Sequence, residues 1–351
     1  MAGSVAAAAR SLTRASVPRP SRRLTTSSAS AESSSDAGRA FGTTKRQKIA
    51  LVTGSTDGIG LHTASLLAAS GHGVIVHGRS SERVNAVAGD SGGGVVGSYV
   101  RDFDSLQDAR DLAAEVLERH ASLDLLDNNA GVFEPKRHVT ADGHERTFQV
   151  NVLTPYLLTG LLLPRLVETA AASGASGGGG GGGAADVRIL NVASISQTPK
   201  IDFENLECEK SFTNHASYCH SKTMMKLFSF ELSERMRLAA AAEKAAARGG
   251  EPSEPSPLRD VAVLACDPGT VNTKMLLAGW GPCGIETFEA NDQFELLTRE
   301  RFGNASVPES ERGGYYVNRT LRETPGGVEL EDRKRLWEIL ERETGVTYPL
   351  L

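Results

Sequence analysis

The chain has 351 residues, 40% of them hydrophobic and 23% charged, and a formal net charge of −5. This is close to ordinary globular usage, so a sizeable core can form, as one large α/β domain or two small ones. The first 44 residues hold six arginines and two acids, leaving 32 basic against 41 acidic side chains in the remainder, a balance that argues against a nucleic-acid partner for the folded part.

Met1 to about Thr44 is rich in Ala, Ser and Arg, has Glu32 as its first acid, and lacks the apolar run of a secretory signal. This fits an organellar transit peptide, mitochondrial ahead of chloroplast, the alternative being a disordered tail on a cytoplasmic protein. From Lys48 onward, short β-branched runs alternate with helical stretches. Ile49 to Val52 is a continuous apolar run, as in a strand covered on both faces. Similar runs stand at Val74 to Val76, Val95 to Val100, Leu123 to Leu126, Val187 to Val192 and Val261 to Ala265. Helical spacing marks Leu61 to Ala69, Leu106 to His120 and Lys222 to Leu238. The alternation predicts an α/β fold over residues 45–351: a single doubly wound Rossmann-type parallel sheet with right-handed crossovers and helices on both faces. Val152 to Val167 is the most apolar stretch, but Thr154, Pro155, Thr159, Pro164 and Arg165 interrupt it, so a buried helix is expected and no transmembrane segment. Two low-complexity inserts, Ser173 to Ala185 with seven consecutive glycines and Ala239 to Pro257, are expected as flexible surface loops at the strands' N-terminal edge. Gly314 to Val317 is expected to supply a last edge strand. Cys208, Cys219, Cys266 and Cys283 show no CxxC pair and no metal-ligand spacing, so they are expected to stay reduced, with no metal site.

The strand Ile49–Val52 runs into Thr53-Gly54-Ser55-Thr56-Asp57-Gly58-Ile59-Gly60, and a helix follows at once. Glycines permit the tight turn and close backbone approach, and the helix N-terminus offers unpaired N–H groups to a pyrophosphate. After the second strand stands His77-Gly78-Arg79-Ser80-Ser81, with no acid until Glu82. An acid there would bond the ribose hydroxyls, whereas Arg79 can pair with a 2′-phosphate, which favours NADP(H) over NAD(H).

TGSTDGIG resembles the TGxxxGIG motif of the short-chain dehydrogenase/reductase family. Asn128-Asn129-Ala130-Gly131, Asn191-Val192-Ala193-Ser194, Tyr218-Cys219-His220-Ser221-Lys222 and Pro268-Gly269-Thr270-Val271-Asn272-Thr273 follow in that family's order, over roughly residues 48 to 275. The resemblance implies a dinucleotide held by Gly54, Ser55, Asp57, Gly58, Ile59, Gly60, Asp102, Asn129, Ala130, Gly131, Pro268, Gly269, Val271 and Thr273, together with Tyr218 and Lys222. It also implies Asn151 as holder of a relay water, Ser194 as the hydroxyl that orients the carbonyl, and dimers or tetramers as common assemblies.

Tyr218 and Lys222 are four apart on a predicted helix and emerge on one face. An adjacent ammonium is expected to favour the phenolate, so that the phenol exchanges a proton at the substrate oxygen near neutrality. His215 and His220 lie nearby without a triad-like partner and are expected as surface or pocket lining. Tyr218 stands 24 positions after Ser194. The stretch Lys200-Ile201-Asp202-Phe203-Glu204-Asn205-Leu206 and the segment Leu336-Trp337-Glu338-Ile339-Leu340 resemble the retinol dehydrogenase-like branch. After Thr273, the side chains of Met275, Leu276, Leu277, Trp280 and Phe288 belong either to an apolar substrate pocket or to ordinary core. The expected activity is NADP(H)-dependent interconversion of an alcohol and a hydrophobic aldehyde or ketone. The rivals are a 3-oxoacyl or sterol-type reductase, and an NADPH-binding redox sensor without turnover.

Overall fold

In β1 (Ile49–Val52) Leu51 turns to one core while Ala50 and Val52 turn to another, the two-sided burial that its unbroken apolar run predicts. The computed structural model describes residues 46–90, 92–175, 187–246, 256–299, 308–326 and 329–351. The N-terminal segment and the glycine run lie outside them. Described residues from Arg46 to Leu351 form one compact unit. After β1 come α1 (Gly58–Ala69), β2 (Gly73–Gly78), α2 (Ser81–Asp90), β3 (Val95–Val100), α3 (Leu106–Arg119) and β4 (Leu125–Asn128). Next are α4 (Arg146–Phe148), a π-helical turn (Gln149–Leu153), α5 (Thr154–Ala175), β5 (Val187–Val192) and α6 (Asn214–Ala246). The chain ends with β6 (Val261–Asp267), α7 (Lys274–Gly279), α8 (Asp292–Thr298), α9 (Glu309–Arg312), β7 (Tyr315–Val317), β8 (Thr320–Glu323) and α10 (Leu330–Thr344).

The strands pair in the order β3-β2-β1-β4-β5-β6-β7-β8, all parallel except β7 with β8. This is the expected doubly wound sheet. One face packs α3, α5, α6 and α10; the other packs α1, α2 and α8. Arg188 on β5 is fully buried and donates to the carbonyls of Leu296 and Arg299, both at 2.6 Å, so it holds the end of α8 through carbonyls that lack a partner within the helix.

Three expectations need correction. Tyr315–Val317 is not the edge, because β8 adds antiparallel to it. The insert beginning at Ala239 is helical through Ala246, since a run of alanines has the highest helix propensity and extends α6; its later part lies outside the described residues. The same holds at Ser173–Ala175, the last residues of α5. The segment from 275 onward, expected as a substrate lid and C-terminal helix, ends in α10. Further on, Trp337 of α10 packs 5.2 Å from Tyr156 and 4.7 Å from Tyr348 (ring centroids), well inside the core. Residues 146–173 are long and apolar enough to cross a membrane by length and composition, but 78% of the most apolar window is buried in the protein, as a core helix would be.

Asp127 sits on β4 between Val52 and Leu190, with both carboxyl oxygens buried and no side-chain partner. Burial pushes its pKa well above the ordinary carboxylate value. Replacing an unpartnered buried acid with an apolar group of similar size removes a desolvation cost of about 1–3 kcal/mol. Asp127→Leu is therefore expected to be more stable by that order in urea unfolding. The folded chain holds this proton to higher pH than the unfolded one, so wild-type stability falls as pH rises above 3.8 and the variant's advantage grows. A variant that is less stable than wild type at neutral pH contradicts this account.

Candidate active site

Thr53 ends β1 at the point where strand order reverses, and its side chain ties two loops together. Its hydroxyl donates to the Asp127 carbonyl (3.1 Å) and accepts from the Asn129 and Ala130 N–H groups, both at 3.0 Å. The following turn admits no side chain at two positions. Gly54 lies at φ +65, and at Gly60 a Cβ would stand 2.2 Å from Asn129 Nδ2. Asp57 then caps α1 by accepting from Gly58 N–H at 2.9 Å.

His77 supports this turn from beneath, a role its sequence gave no sign of. Its Nδ1 accepts from Gly54 N–H (3.2 Å), and its Nε2, by that assignment protonated, donates to the Arg101 carbonyl (3.1 Å). The ring stacks on Phe103 at 4.2 Å, and burial lowers its pKa to about 4. Ser55, expected among the cofactor contacts, is fully buried and does not line the cavity. Its hydroxyl accepts from His77 N–H at 2.9 Å, which pins the turn to β2.

A cavity of about 820 Å³ opens over the carboxyl ends of the strands. Gly54, Asp57, Gly58, Ile59 and Gly60 line it from the first turn, with Arg79 and Asp102 from beyond β2 and β3. Asn129, Ala130 and Gly131 contribute from the end of β4, and Pro268, Gly269, Val271 and Thr273 from after β6. Arg79 is exposed and has no hydrogen bond or ion pair to another described residue.

Ser194, Tyr218 and Lys222 share one wall of the same cavity. Tyr218 and Lys222 lie on α6, which starts eight residues before the stretch expected from spacing. Lys222 Nζ donates to the Val192 carbonyl at 2.7 Å and lies 5.5 Å from the centre of the Tyr218 ring. Burial lowers its pKa to about 8. The phenol is not acidified as expected: burial raises its pKa, with Asp267 adding to the rise, and the Ser194 side chain within hydrogen-bonding range opposes it only in part. The lysine's closest contact is a carbonyl and not the phenol oxygen, which is why desolvation wins.

Asn151 is the residue expected to hold a relay water. It lies in the π-helical turn, does not line the cavity, and spends its side chain on protein. Its Oδ1 accepts from Val132 N–H (2.8 Å), and its Nδ2 donates to the Val132 carbonyl (3.1 Å) and Ser221 Oγ (3.0 Å). Asp267, which sequence reasoning passed over, accepts from Gly269 N–H (2.9 Å) and Ile195 N–H (2.8 Å), so one carboxylate fixes both the loop after β6 and the segment after Ser194. Its place directly before Pro268-Gly269 was the available signal.

Met275, Leu276 and Trp280 line the cavity, while Leu277 and Phe288 are solvent-exposed; none of the five is core. Trp280 lies 5.6 Å from Tyr218 and 4.9 Å from Phe133 by ring centres, with His215 at 4.7 Å. His215 is therefore near the site, as expected. His220 is buried and accepts from Asp202 N–H at 3.0 Å, anchoring the 200–213 stretch. Among the described residues no group of His, Cys, Asp and Glu could hold a metal ion. The glycines of the first turn, an Arg79 without a partner among the described residues and the cavity volume together fit a nicotinamide dinucleotide.

A family model described as short chain dehydrogenase matches residues 48–197. Retinol dehydrogenase 13 of Homo sapiens is 35% identical over 196 residues, 54% of this chain and 55% of that protein. Thus the chain spans about half the length of the retinol dehydrogenases it matches. Polyprenol dehydrogenase of Mus musculus is 31% identical over 310 residues, 85% of this chain and 84% of that protein. Among solved structures, an uncharacterized protein of Mycobacterium paratuberculosis superposes with a TM-score of 0.60 at 25% identity, covering 86% of this chain and 95% of that one. The 3-ketoacyl-(acyl-carrier-protein) reductase of Brucella melitensis complexed with NADH gives 0.51 at 22%, covering 78% and 98%, a likeness of fold.

His77 has a measurable pH signature. It stays neutral in the folded chain down to about pH 4, whereas an unfolded imidazole charges near 6.5. Between these values the unfolded state binds the extra proton, so stability falls as pH drops through that window. His77→Phe keeps the stacking but leaves the Gly54 N–H without an acceptor, at a cost of about 1–3 kcal/mol at pH 7. From pH 6.5 to 4, wild type is expected to lose on the order of 3 kcal/mol more than the variant in denaturant titrations. Parallel pH profiles for the two proteins would contradict the assignment.

Proposed function

Since this chain belongs to the short-chain dehydrogenase family, in its retinol dehydrogenase-like branch, we propose that it interconverts an alcohol and an apolar aldehyde or ketone, using NADP(H) and Tyr218 as acid and base. The observation that carries this reading is the convergence of Ser194, Tyr218 and Lys222 with the glycine turn on one cavity. Bound nicotinamide supplies the hydride that reaches the carbonyl carbon, or takes it up in the reverse direction. Tyr218 gives its proton to the carbonyl oxygen, and the Ser194 hydroxyl orients that oxygen. Burial keeps the phenol protonated at neutral pH, the form that reduction needs. Lys222 stands beside the phenol and holds the nicotinamide ribose.

The preference for NADP(H) is supported by Arg79, an unpaired guanidinium at the adenosine end with no acid among its immediate neighbours in sequence. An apolar substrate is supported by Ile195, Met275, Leu276 and Trp280 on the opposite part of the cavity, and it is the class denoted by the names of the retinol and polyprenol dehydrogenases. The Arg- and Ser-rich first 44 residues are proposed as an organellar address, mitochondrial ahead of chloroplast.

Tyr218→Phe is expected to bind NADPH as wild type does and to lose turnover by about 10²- to 10⁴-fold on a panel of apolar aldehydes and ketones. Equal rates in the two proteins would remove Tyr218 from the chemistry. Arg79→Asp is expected to weaken NADPH by at least about tenfold while leaving NADH nearly unchanged, because it replaces a charge-assisted bond with a repulsion. An unaltered preference ratio in paired titrations would take Arg79 out of the 2′-phosphate site.

A further inference from the structure

Three charged side chains meet where the glycine turn touches the substrate lid. Asp57 Oδ2 lies 2.5 Å from Lys274 Nζ and 3.3 Å from Arg83 Nη1, while Oδ1 caps α1. Lys274 is the first residue of α7, Arg83 lies on α2, and all three line the cavity. The backbones are close as well: a Cβ on Gly58 would stand 3.2 Å from the Thr273 methyl group. A carboxylate thus occupies the N-terminal end of α1, the place where the fold presents N–H groups to a pyrophosphate. Anions attract there, and two phosphates outbid one carboxylate for neighbouring cations.

We propose that Lys274 and Arg83 are ligands for the dinucleotide's phosphates held in reserve by Asp57, and that Asp57 is their built-in competitor. This rests on the dinucleotide reading above. The pairs are solvent-exposed on the cation side, 73% for Lys274 and 54% for Arg83, so they are weak and readily exchanged. The consequence reaches the reacting end. None of the residues in α7 is buried, and Trp280, at its C-terminus, rests against Tyr218 and Phe133. Transfer of Lys274 from Asp57 to a phosphate keeps the lid attached through the cofactor itself, so the substrate wall is tied to the glycine turn in the unliganded protein and to the dinucleotide in the bound one.

The two ends of the latch should respond with opposite signs. Purified full-length protein is titrated calorimetrically with NADPH, NADH and ADP. Lys274→Gln is expected to weaken all three by about tenfold and to flatten the dependence on ionic strength. Asp57→Asn keeps a good helix cap, frees both cations, and is expected to tighten all three several-fold. It should also speed amide exchange across residues 274–280 in the unliganded protein. Were the ion pair only structural, both variants would loosen the lid and weaken binding together; that result, or no change in either, overturns the proposal. ADP carries adjacent phosphates without nicotinamide or a 2′-phosphate. Opposite signs with ADP uphold the latch even if the protein fails to discriminate NADPH from NADH or turns over no carbonyl.

Discussion

The reversal of strand order between β1 and β4 is the constraint on which the rest depends. β1 pairs with both β2 and β4, and from its end the crossovers diverge to opposite sides. Helices cannot cover the backbone there, so a crevice is left and its polar groups need partners. Thr53 answers with its hydroxyl, and the Asn129 side chain answers with a bond from Nδ2 to the Thr53 carbonyl at 2.8 Å. A second polar seam runs one strand further along, where Asn128 Nδ2 donates to Asn191 Oδ1 at 2.8 Å and Asn191 Nδ2 to Ser229 on α6 at 2.9 Å. The glycine turn, the segment after β4, the serine after β5 and the helix carrying Tyr218 are therefore fixed to one another before any ligand is considered.

Burial then sets the protonation of the groups held in that crevice. It raises the phenol of Tyr218 and lowers the ammonium of Lys222, pushing both toward neutrality. Asp267 acts on both in one direction, adding to the rise at Tyr218 and supporting the charged form of Lys222. Its carboxylate is committed to two backbone N–H groups, so it positions as well as polarises. The result is a proton held firmly on the phenol beside a lysine close enough to its neutral form to respond to small changes nearby. This differs from an isolated Tyr–Lys pair on a helix surface, where water would screen the interaction and leave both groups near their ordinary values.

Local patterns explain what the sequence revealed. Apolar runs gave the parallel strands, the glycine spacing gave the turn, and the four-residue separation of Tyr218 and Lys222 gave their common face, because each signal lies within one element. What it concealed depends on contacts between distant segments. His77 meets Gly54 from 23 residues away, with no signature in its own neighbourhood, and Asp267 meets Ile195 from 72, a contact that its place before Pro268-Gly269 does not foretell. Asn151 is singled out as a holder of a relay water by its position in the chain alone. The π-helical turn aims its amide at Val132 and Ser221, an orientation that residue spacing alone does not carry. The same limit explains β8, a short antiparallel addition whose pattern of partial exposure, with Leu321 and Glu323 half-buried between exposed neighbours, lacks the apolar run of the inner strands.

The unequal anchoring of the two halves of the cavity follows from this division. The cofactor side is built from β1, β4 and β6, whose residues are buried and bonded across several strands. The opposite wall includes α7, whose six residues bury nothing fully and whose rim leaves Leu277 in water. Elements with few buried contacts open at the lowest free energy, so motion is expected to concentrate in the α7 wall while the strand-built floor stays fixed. Exposed apolar side chains at such a rim are costly in the free protein, and a substrate able to cover them recovers that cost. On the function proposed above, an apolar substrate body resting on Met275, Leu276 and Trp280 and reaching Leu277 would recover more of that cost than a small polar carbonyl.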